Sequence, residues 1–278
     1  MVALFDPKKI SAISKKSQEP SFEKLEEAFF AAISYHAGKK KRCAVLFSGG
    51  LDSALIAYAV SKKIKKTELY CAGLPNAKVF ENASRAASLL GLSIHEVIIE
   101  EEEIPLKLPK IAKIISSDNI MNLQIAVPLY FCMERIKEDK IKHVFSGQGA
   151  DELFFGYDEF RRILQSKSYN ELEAARLEKL QNIYKSNLNR DLAIARHFSL
   201  CLHLPFLESH FVSEALAFRA QENICGSDDL LRKRTLRFLA KRIGLADEIC
   251  FARKSAIQYG SGISKKLKKL INTKYLHQ

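Results

Sequence analysis

The sequence predicts an α/β fold, a parallel sheet wrapped by helices with an α-helical C-terminal subregion, and three observations predict it. Short apolar runs fit for strands alternate with helix-period stretches as far as Ser146. Two Gly-rich turns, Ser48-Gly49-Gly50-Leu51-Asp52-Ser53 and Ser146-Gly147-Gln148-Gly149-Ala150-Asp151-Glu152, each join such a run to a helix start. Beyond Asp151 no strand pattern remains, and heptad-like spacing of Leu, Ile and Ala carries through residues 152 to 242.

The elements follow in order. Residues 21 to 36 open with a Ser and place apolar side chains at 22, 25, 29, 30 and 33, a helical period. A basic tetrad, 39 to 42, leads into the apolar run 43 to 47, which suits a strand buried on both faces. A helix is expected from about 53 to 63, a strand over 68 to 74, a helix over 79 to 90 and a strand over 93 to 99. Helices between 104 and 140 and a strand over 143 to 146 complete the alternating part. In the second half the helices are expected to break near Asn187, Pro205 and Gly226. This organisation divides the chain into an N-terminal extension with its helix (1–42), an α/β core (43–165) and a helical part of the same domain (166–278).

Composition bounds the function. With 278 residues, 47% of them hydrophobic, the chain is long enough for a sizeable core, which excludes disorder as its main theme. No apolar run approaches the roughly 18 residues of a membrane span, and residues 1 to 16 mix Asp6 with four lysines, unlike a secretory signal. The six cysteines lie at least 24 positions apart, so there is no CxxC for zinc or thiol exchange, and a reducing cytoplasm is expected. The net charge of +12 fits a solvated lysine surface or attraction to an anion, whether nucleic acid, acidic lipid or nucleotide.

The chemistry is concentrated in the two turns. Successive glycines let the backbone approach a phosphate, the Ser48 and Ser53 hydroxyls can donate to its oxygens, and the free N–H groups of a helix start favour an anion. Asp52 then suits a magnesium ligand, because a hard cation beside phosphates takes carboxylate oxygen. The segment is not a Walker A loop, which needs GxxxxGK[ST]. The second turn repeats the pattern with Asp151, and two such turns at strand C-termini would flank one crevice, where open α/β sheets bind ligands. Scattered histidines, among them His95, His143, His197 and His203, read as packing residues, and Glu100 to Glu103 as a solvated run.

These two turns, with Gly73-Leu74-Pro75-Asn76, Phe80-Glu81-Asn82-Ala83 and Leu90-Gly91-Leu92, resemble the synthetase domain of the asparagine synthetase B family, in the PP-loop ATP pyrophosphatase superfamily with its adenine nucleotide α-hydrolase-like fold. Leu204-Pro205-Phe206-Leu207-Glu208 resembles that family's RVPFLD segment, Arg234-Thr235-Leu236-Arg237 its basic ILR helix, and Ala252-Arg253-Lys254 its RxK turn, so the likeness runs from about residue 25 to 262. The resemblance implies ATP and Mg2+ as cofactors, a small-molecule carboxylate that is adenylated with release of pyrophosphate, and ammonia or an amine that displaces AMP. It further implies that Ser48, Gly49, Gly50 and Ser53 hold the pyrophosphate and that Asp52 and Asp151 hold the magnesium. By the same likeness Leu46, Gly73, Leu74, Gly147 and Gly149 lie around the nucleotide, and Lys254 meets charge developing at the α-phosphoryl group.

Four departures bear on the acceptor. Gln148 stands where the family's SGEGADE has its glutamate, and a neutral amide cannot act as a base. Cys201 and His203 replace the glutamate and arginine of EARVPFLD, and Ala252 replaces the arginine of RxK. The chain begins Met1-Val2, without the N-terminal cysteine of a glutaminase domain, so a separate glutaminase subunit, free ammonia or an amine is expected to supply nitrogen. Two other functions stay open on the sequence: a PP-loop tRNA-modifying enzyme, suggested by the positive charge, and a non-catalytic nucleotide-binding subunit, suggested by Gln148 and Ala252.

Overall fold

The computed structural model describes residues 5–10, 19–252 and 260–268. Ser21 caps the first long helix as its position predicts, its hydroxyl accepting the Lys24 amide, and α1 (Phe22–Ala37) buries Leu25, Phe29 and Ile33 at the expected helical spacing. The alternating part follows as β1 (Arg42–Leu46), α2 (Leu51–Ser61), β2 (Lys66–Gly73), α3 (Lys78–Leu90) and β3 (Ile94–Ile98). Then come α4 (Glu103–Ile115), α5 (Ile120–Glu138) and β4 (His143–Phe145). Among the described residues no helix is long and apolar enough to cross a membrane.

The strands form one parallel sheet in the order β3-β2-β1-β4, with Leu46 beside Tyr70 and Val45 beside Phe145. Strand periodicity sends alternate residues to opposite cores. Cys43 and Val45 of β1, Leu69 and Cys71 of β2, and Phe145 of β4 join the core that α1, α2 and α3 cover. Ala44, Tyr70, Ala72 and Val144 join the opposite core with Ile111 of α4 and Val127 and Tyr130 of α5. Burial on both faces is why these strands read as continuous apolar runs.

The second half is mostly helical, as expected, in α6 (Ala150–Leu153), α7 (Asp158–Ile163), α8 (Tyr169–Gln181) and α9 (Asn189–His197). The breaks expected near Pro205 and Gly226 are found, a 3-10 turn at Pro205–Leu207 preceding α10 (Ser209–Ala217), but the break expected near Asn187 is corrected: the chain stays helical there, a π-helical turn at Tyr184–Leu188 running straight into α9. The expectation of no strand beyond Asp151 is corrected. A fifth strand, β5 (Cys201–His203), pairs in parallel with β4 and completes the order β3-β2-β1-β4-β5. Three residues are too few to display a strand period, and only the partner strand defines this one. The chain then runs through α11 (Ala220–Asn223), α12 (Arg234–Arg242) and α13 (Asp247–Cys250).

Candidate active site

Both Gly-rich turns leave the C-terminal ends of neighbouring strands, β1 and β4, and meet. A methyl group added at Gly147 would stand 2.9 Å from the backbone carbon of Asp52, so glycine there is what allows the turns to touch. In the first turn Ser53 Oγ donates to the Gly50 carbonyl at 3.1 Å and lies 3.4 Å from Ser48 Oγ. Gly50 caps α2 without a side-chain hydrogen bond, so the first amides of this helix keep their capacity for an anion.

The two acidic residues converge on one cation, Lys233. Its Nζ donates to Asp52 Oδ1 and Oδ2 at 2.6 and 2.5 Å and lies 2.6 Å from Asp151 Oδ1. The lysine side chain is only 4% exposed, whereas the carboxylates keep 26% and 23% of their surface. Burial alone would lower the lysine's pKa, but the charges of Asp151 and Asp52 outweigh it and hold the ammonium above the ordinary lysine value.

The backbone presenting Lys233 is bent against its preference, with Arg232 and Lys233 both left-handed at φ 49° and 53°. Side chains hold that bend. The Asp229 carboxylate accepts the Leu231 and Arg232 amides at 2.9 and 3.0 Å, and Arg237 of α12 donates from Nε to the Arg232 carbonyl at 2.7 Å. Arg232 Nε in turn donates to the Gly156 carbonyl at 3.1 Å. Gly156 leaves the room for this: a Cβ there would fall 1.9 Å from Asp151 Oδ1 and 2.1 Å from Lys233 Cε.

A cavity of about 200 Å3 opens beside these groups. Ser48, Asp52, Ser53, Ser146, Gly147, Gln148, Gly149 and Asp151 line its polar side. Leu46, Tyr70, Cys71 and Ala72 of the sheet, with Ile125, Pro128, Leu129 and Cys132 of α5, form an apolar wall that suits a flat ring. The Cys71 thiol is pushed up to about 12 by burial, and burial raises that of Cys132 as well, so neither is poised as a nucleophile.

At the far side Glu152 is almost fully buried, and burial followed by the neighbouring Asp151 charge raises its pKa. Tyr157 Oη and Asn187 Nδ2, the latter from the π-helical turn, donate to Glu152 Oε1 at 2.7 and 2.9 Å.

The residues singled out from the sequence separate accordingly. Leu46, Ser48, Asp52, Ser53, Gly147, Gln148, Gly149 and Asp151 are brought together on the cavity. Gly49 and Gly50 shape the first turn beside it. Gly73 and Leu74 are absent from the cavity wall, and the Leu74 amide instead donates to the Ser261 carbonyl. Lys254 and Arg253 lie outside the described residues. Arg237 nevertheless ties the segment that leads to them, donating from Nη1 to the carbonyls of Cys250 and Ala252 at 2.5 and 3.1 Å.

The acceptor-side expectation for positions 201 and 203 is not matched by their placement, since neither lines the cavity. Cys201 is exposed, and His203 faces away into a buried cluster with His36 of α1 and His143 at 3.3 and 3.2 Å. Sequence reasoning missed Lys233, Arg190 and Asp191. For Lys233 the one available signal was a lysine at a helix start, where the helix dipole disfavours a cation.

The Asp52 and Asp151 carboxylates already share a cation, which tests their fit to magnesium. No His, Cys or further carboxylate gathers with them into a metal-binding group among the described residues. Such a pair fits Mg2+ delivered with phosphates, whose oxygens and bound waters would complete six-coordination.

The sheet order, the SGGLDS turn after β1 and the second acidic turn after β4 define a parallel α/β domain with its candidate site in the crevice at the strand C-termini. The chain belongs to the asparagine synthase family, whose model, described as Asparagine synthase, matches residues 24–190. A Methanocaldococcus jannaschii protein named as a glutamine-hydrolysing asparagine synthetase is 31% identical over 96% of this chain and 54% of its own length. The glutamine-hydrolysing asparagine synthetase B of Escherichia coli is 25% identical over 73% of this chain and 39% of its own length. The chain thus spans about half the length, or less, of the curated relatives it matches.

Proposed function

We propose that this chain is an ATP-dependent, AMP-forming ligase: a carboxylate oxygen of the acceptor attacks the α-phosphorus of ATP, magnesium pyrophosphate leaves, and ammonia or an amine displaces AMP from the acyl-adenylate. The observation that carries this reading is the convergence of Asp52 and Asp151, from two separate turns, on one cation beside an uncapped helix start and a cavity. The family relationship supports the use of ATP by a synthetase.

In this reading Ser48, Gly49, Gly50, Ser53 and the first amides of α2 hold the pyrophosphate, and the apolar wall takes the adenine. Asp52 and Asp151 hold Mg2+, which when bound neutralises charge on the β- and γ-phosphates. Lys233, released from part of its pairing as the cation arrives, keeps a positive charge on the leaving group's side. Fixed donors aimed at developing charge are commonly worth about 2.7–4 kcal/mol each in activation free energy. Lys254, carried over from the family pattern, meets the α-phosphoryl group from the segment that Arg237 anchors.

Gln148, neutral on the cavity wall, marks an acceptor other than aspartate. Nitrogen arrives as ammonia, as an amine, or from a separate glutaminase subunit.

The test is product analysis. With ATP labelled at the α-phosphate, magnesium and a panel of carboxylates and amines, label should leave as AMP together with unlabelled pyrophosphate, and Asp52→Asn or Asp151→Asn should abolish it. Release of ADP and orthophosphate under every condition would overturn the proposal.

A further inference from the structure

Because all the strands run parallel, one edge of the sheet collects every strand start, opposite the edge where the Gly-rich turns leave β1 and β4. That edge is basic. Residues 39–42, 62–66 and 140–142 lead into β1, β2 and β4, which are neighbours in the sheet, and ten of these twelve positions are Lys or Arg with no acid among them. The backbone sets the three runs side by side. Arg42 pairs with Lys66, whose amide donates to the Lys41 carbonyl at 3.3 Å, and Ala44 lies beside Val144, which puts Lys142 level with Arg42. Strands about 4.8 Å apart thus present Lys66, Arg42 and Lys142 in one row. The two apolar residues within the runs, Ile64 and Ile141, are buried in the cores.

Helix ends explain only part of this charge. Lys39, Lys62, Lys63 and Lys140 follow directly on α1, α2 and α5, where the helix dipole favours a cation. Lys41, Lys65, Lys66 and Lys142 stand beyond that reach, at the strand starts. Nor do acids match them. The acids within three positions of the runs are Glu68, Glu138 and Asp139, of which Glu68 pairs with Arg42 at 2.6 Å and Asp139 with Arg135 at 3.1 Å. Among the described residues none of the nine lysines is in an ion pair, and eight of them are exposed. Their field reaches the fold beneath. Burial, and after it the charges of Lys40 and Lys142, hold the His143 imidazole below its ordinary pKa, and Lys40 acts in the same sense on His36 and His203.

The chemistry of the edge selects among polyanions. Ammonium groups on flexible stems suit phosphate as point charges and lack the planar fork that recognises carboxylates. Stable attachment to a bilayer takes an apolar or lipid anchor besides a basic patch, and both isoleucines of the runs are buried. A single strand would need rings on which successive bases stack, and Tyr35, in the last turn of α1, is the one large exposed aromatic or apolar side chain bordering the runs. A duplex needs neither, because phosphate contacts alone supply sequence-independent binding.

We infer that this basic edge is a second binding surface, separate from the cavity, which holds the phosphate backbone of a nucleic-acid duplex without reading its sequence. β1, five residues long at about 3.3 Å per residue, keeps the edge about 16 Å from the Gly-rich turns, so duplex and nucleotide bind independently. The inference stands whatever reaction the cavity performs.

The experiment titrates the full chain with fluorescent RNA and DNA duplexes of about 16 base pairs. Binding of either supports the inference, and the tighter of the two names the partner. With four or more phosphates neutralised, affinity should fall at least about a hundredfold between about 50 and 200 mM salt, from a slope near 0.9 per phosphate. Lys41→Gln, Lys66→Gln and Lys142→Gln combined should weaken binding at least tenfold. Lys9→Gln, Lys24→Gln and Lys185→Gln combined, an equal change of charge at exposed lysines outside the three runs, should weaken it less than twofold. In the saturated complex the His143 pKa, followed by NMR, should rise as bound phosphates offset Lys40 and Lys142. Equal losses in the two triple variants, stronger retention on phosphatidylserine vesicles than on either duplex, an unmoved His143 pKa at saturation, or displacement of the duplex by α,β-methylene-ATP would each overturn the inference.

Discussion

Replacing Lys233 by Met removes a cation that joins the two Gly-rich turns, with consequences set by its surroundings. The substitution keeps the length of the side chain and leaves Asp52 and Asp151, whose oxygens now lie within 2.6 Å of the same Nζ, facing each other across an uncharged methyl group. Breaking a buried ion pair costs about 3–5 kcal/mol. Because the carboxylates keep about a quarter of their surface, solvent screening places the loss at the low end, about 3 kcal/mol.

At about 2–4 °C of melting temperature per kcal/mol for a domain of this size, Lys233→Met should melt about 6–12 °C below the native protein. Without the competing ammonium, Asp52 and Asp151 then bind magnesium more readily in the absence of nucleotide. A cation that binds only the folded form at ten times its dissociation constant returns about 1.4 kcal/mol. Thermal melts of both proteins with and without millimolar magnesium should therefore show a gain in the variant and much less in the native chain, where Lys233 competes. An unchanged melting temperature in the variant, or equal magnesium effects in both, would refute the reasoning that this lysine and the metal share one pair of ligands.

Other outcomes follow from neighbouring features. Burial lowers the pKa of His36 to about 4 and of His203 to about 3, against about 6.5 in the unfolded chain. Below pH 6.5 the unfolded chain therefore takes up protons that the folded one refuses, and stability that is full above that pH is lost as pH falls toward 4. His36→Phe should flatten this loss by about 3 kcal/mol in denaturation curves taken across that range, and identical pH slopes for the two proteins would count against it. Gly147→Ala should push the turns apart and weaken ATP binding at least tenfold, at a folding cost of about 1–3 kcal/mol, as read by nucleotide titration and melting. Lys254→Met should leave ATP binding within about tenfold while cutting turnover at least a hundredfold, a transition-state loss of about 2.7 kcal/mol, whereas Arg253→Met should do little. Equal small losses for both would withdraw the role carried over for Lys254.

Much of this arrangement was legible in sequence because local rules wrote it. The apolar runs of β1, β2 and β4 are buried on both faces, and the glycine turns after β1 and β4 are local signals that no tertiary contact needs to supply. Contacts between distant segments were not legible. Lys233 is 181 positions from Asp52, and its place depends on a left-handed bend held by Asp229 and Arg237. β5 exists only because β4 pairs with it, and His203 turns into a histidine cluster because α1 packs on that face of the sheet. The buried, unmatched Nη1 of Arg190 is likewise a property that no pattern of residue types reveals.

The most direct measurement of the central claim follows oxygen. A carboxylate that supports pyrophosphate release, labelled with 18O in its reacting carboxyl group, is turned over with magnesium ATP and ammonia or an amine, and the phosphorus products are examined by mass spectrometry. An acyl-adenylate places the attacking oxygen on the α-phosphorus, so AMP should carry one 18O and pyrophosphate none. Label in orthophosphate together with ADP, or AMP free of label, would contradict the account.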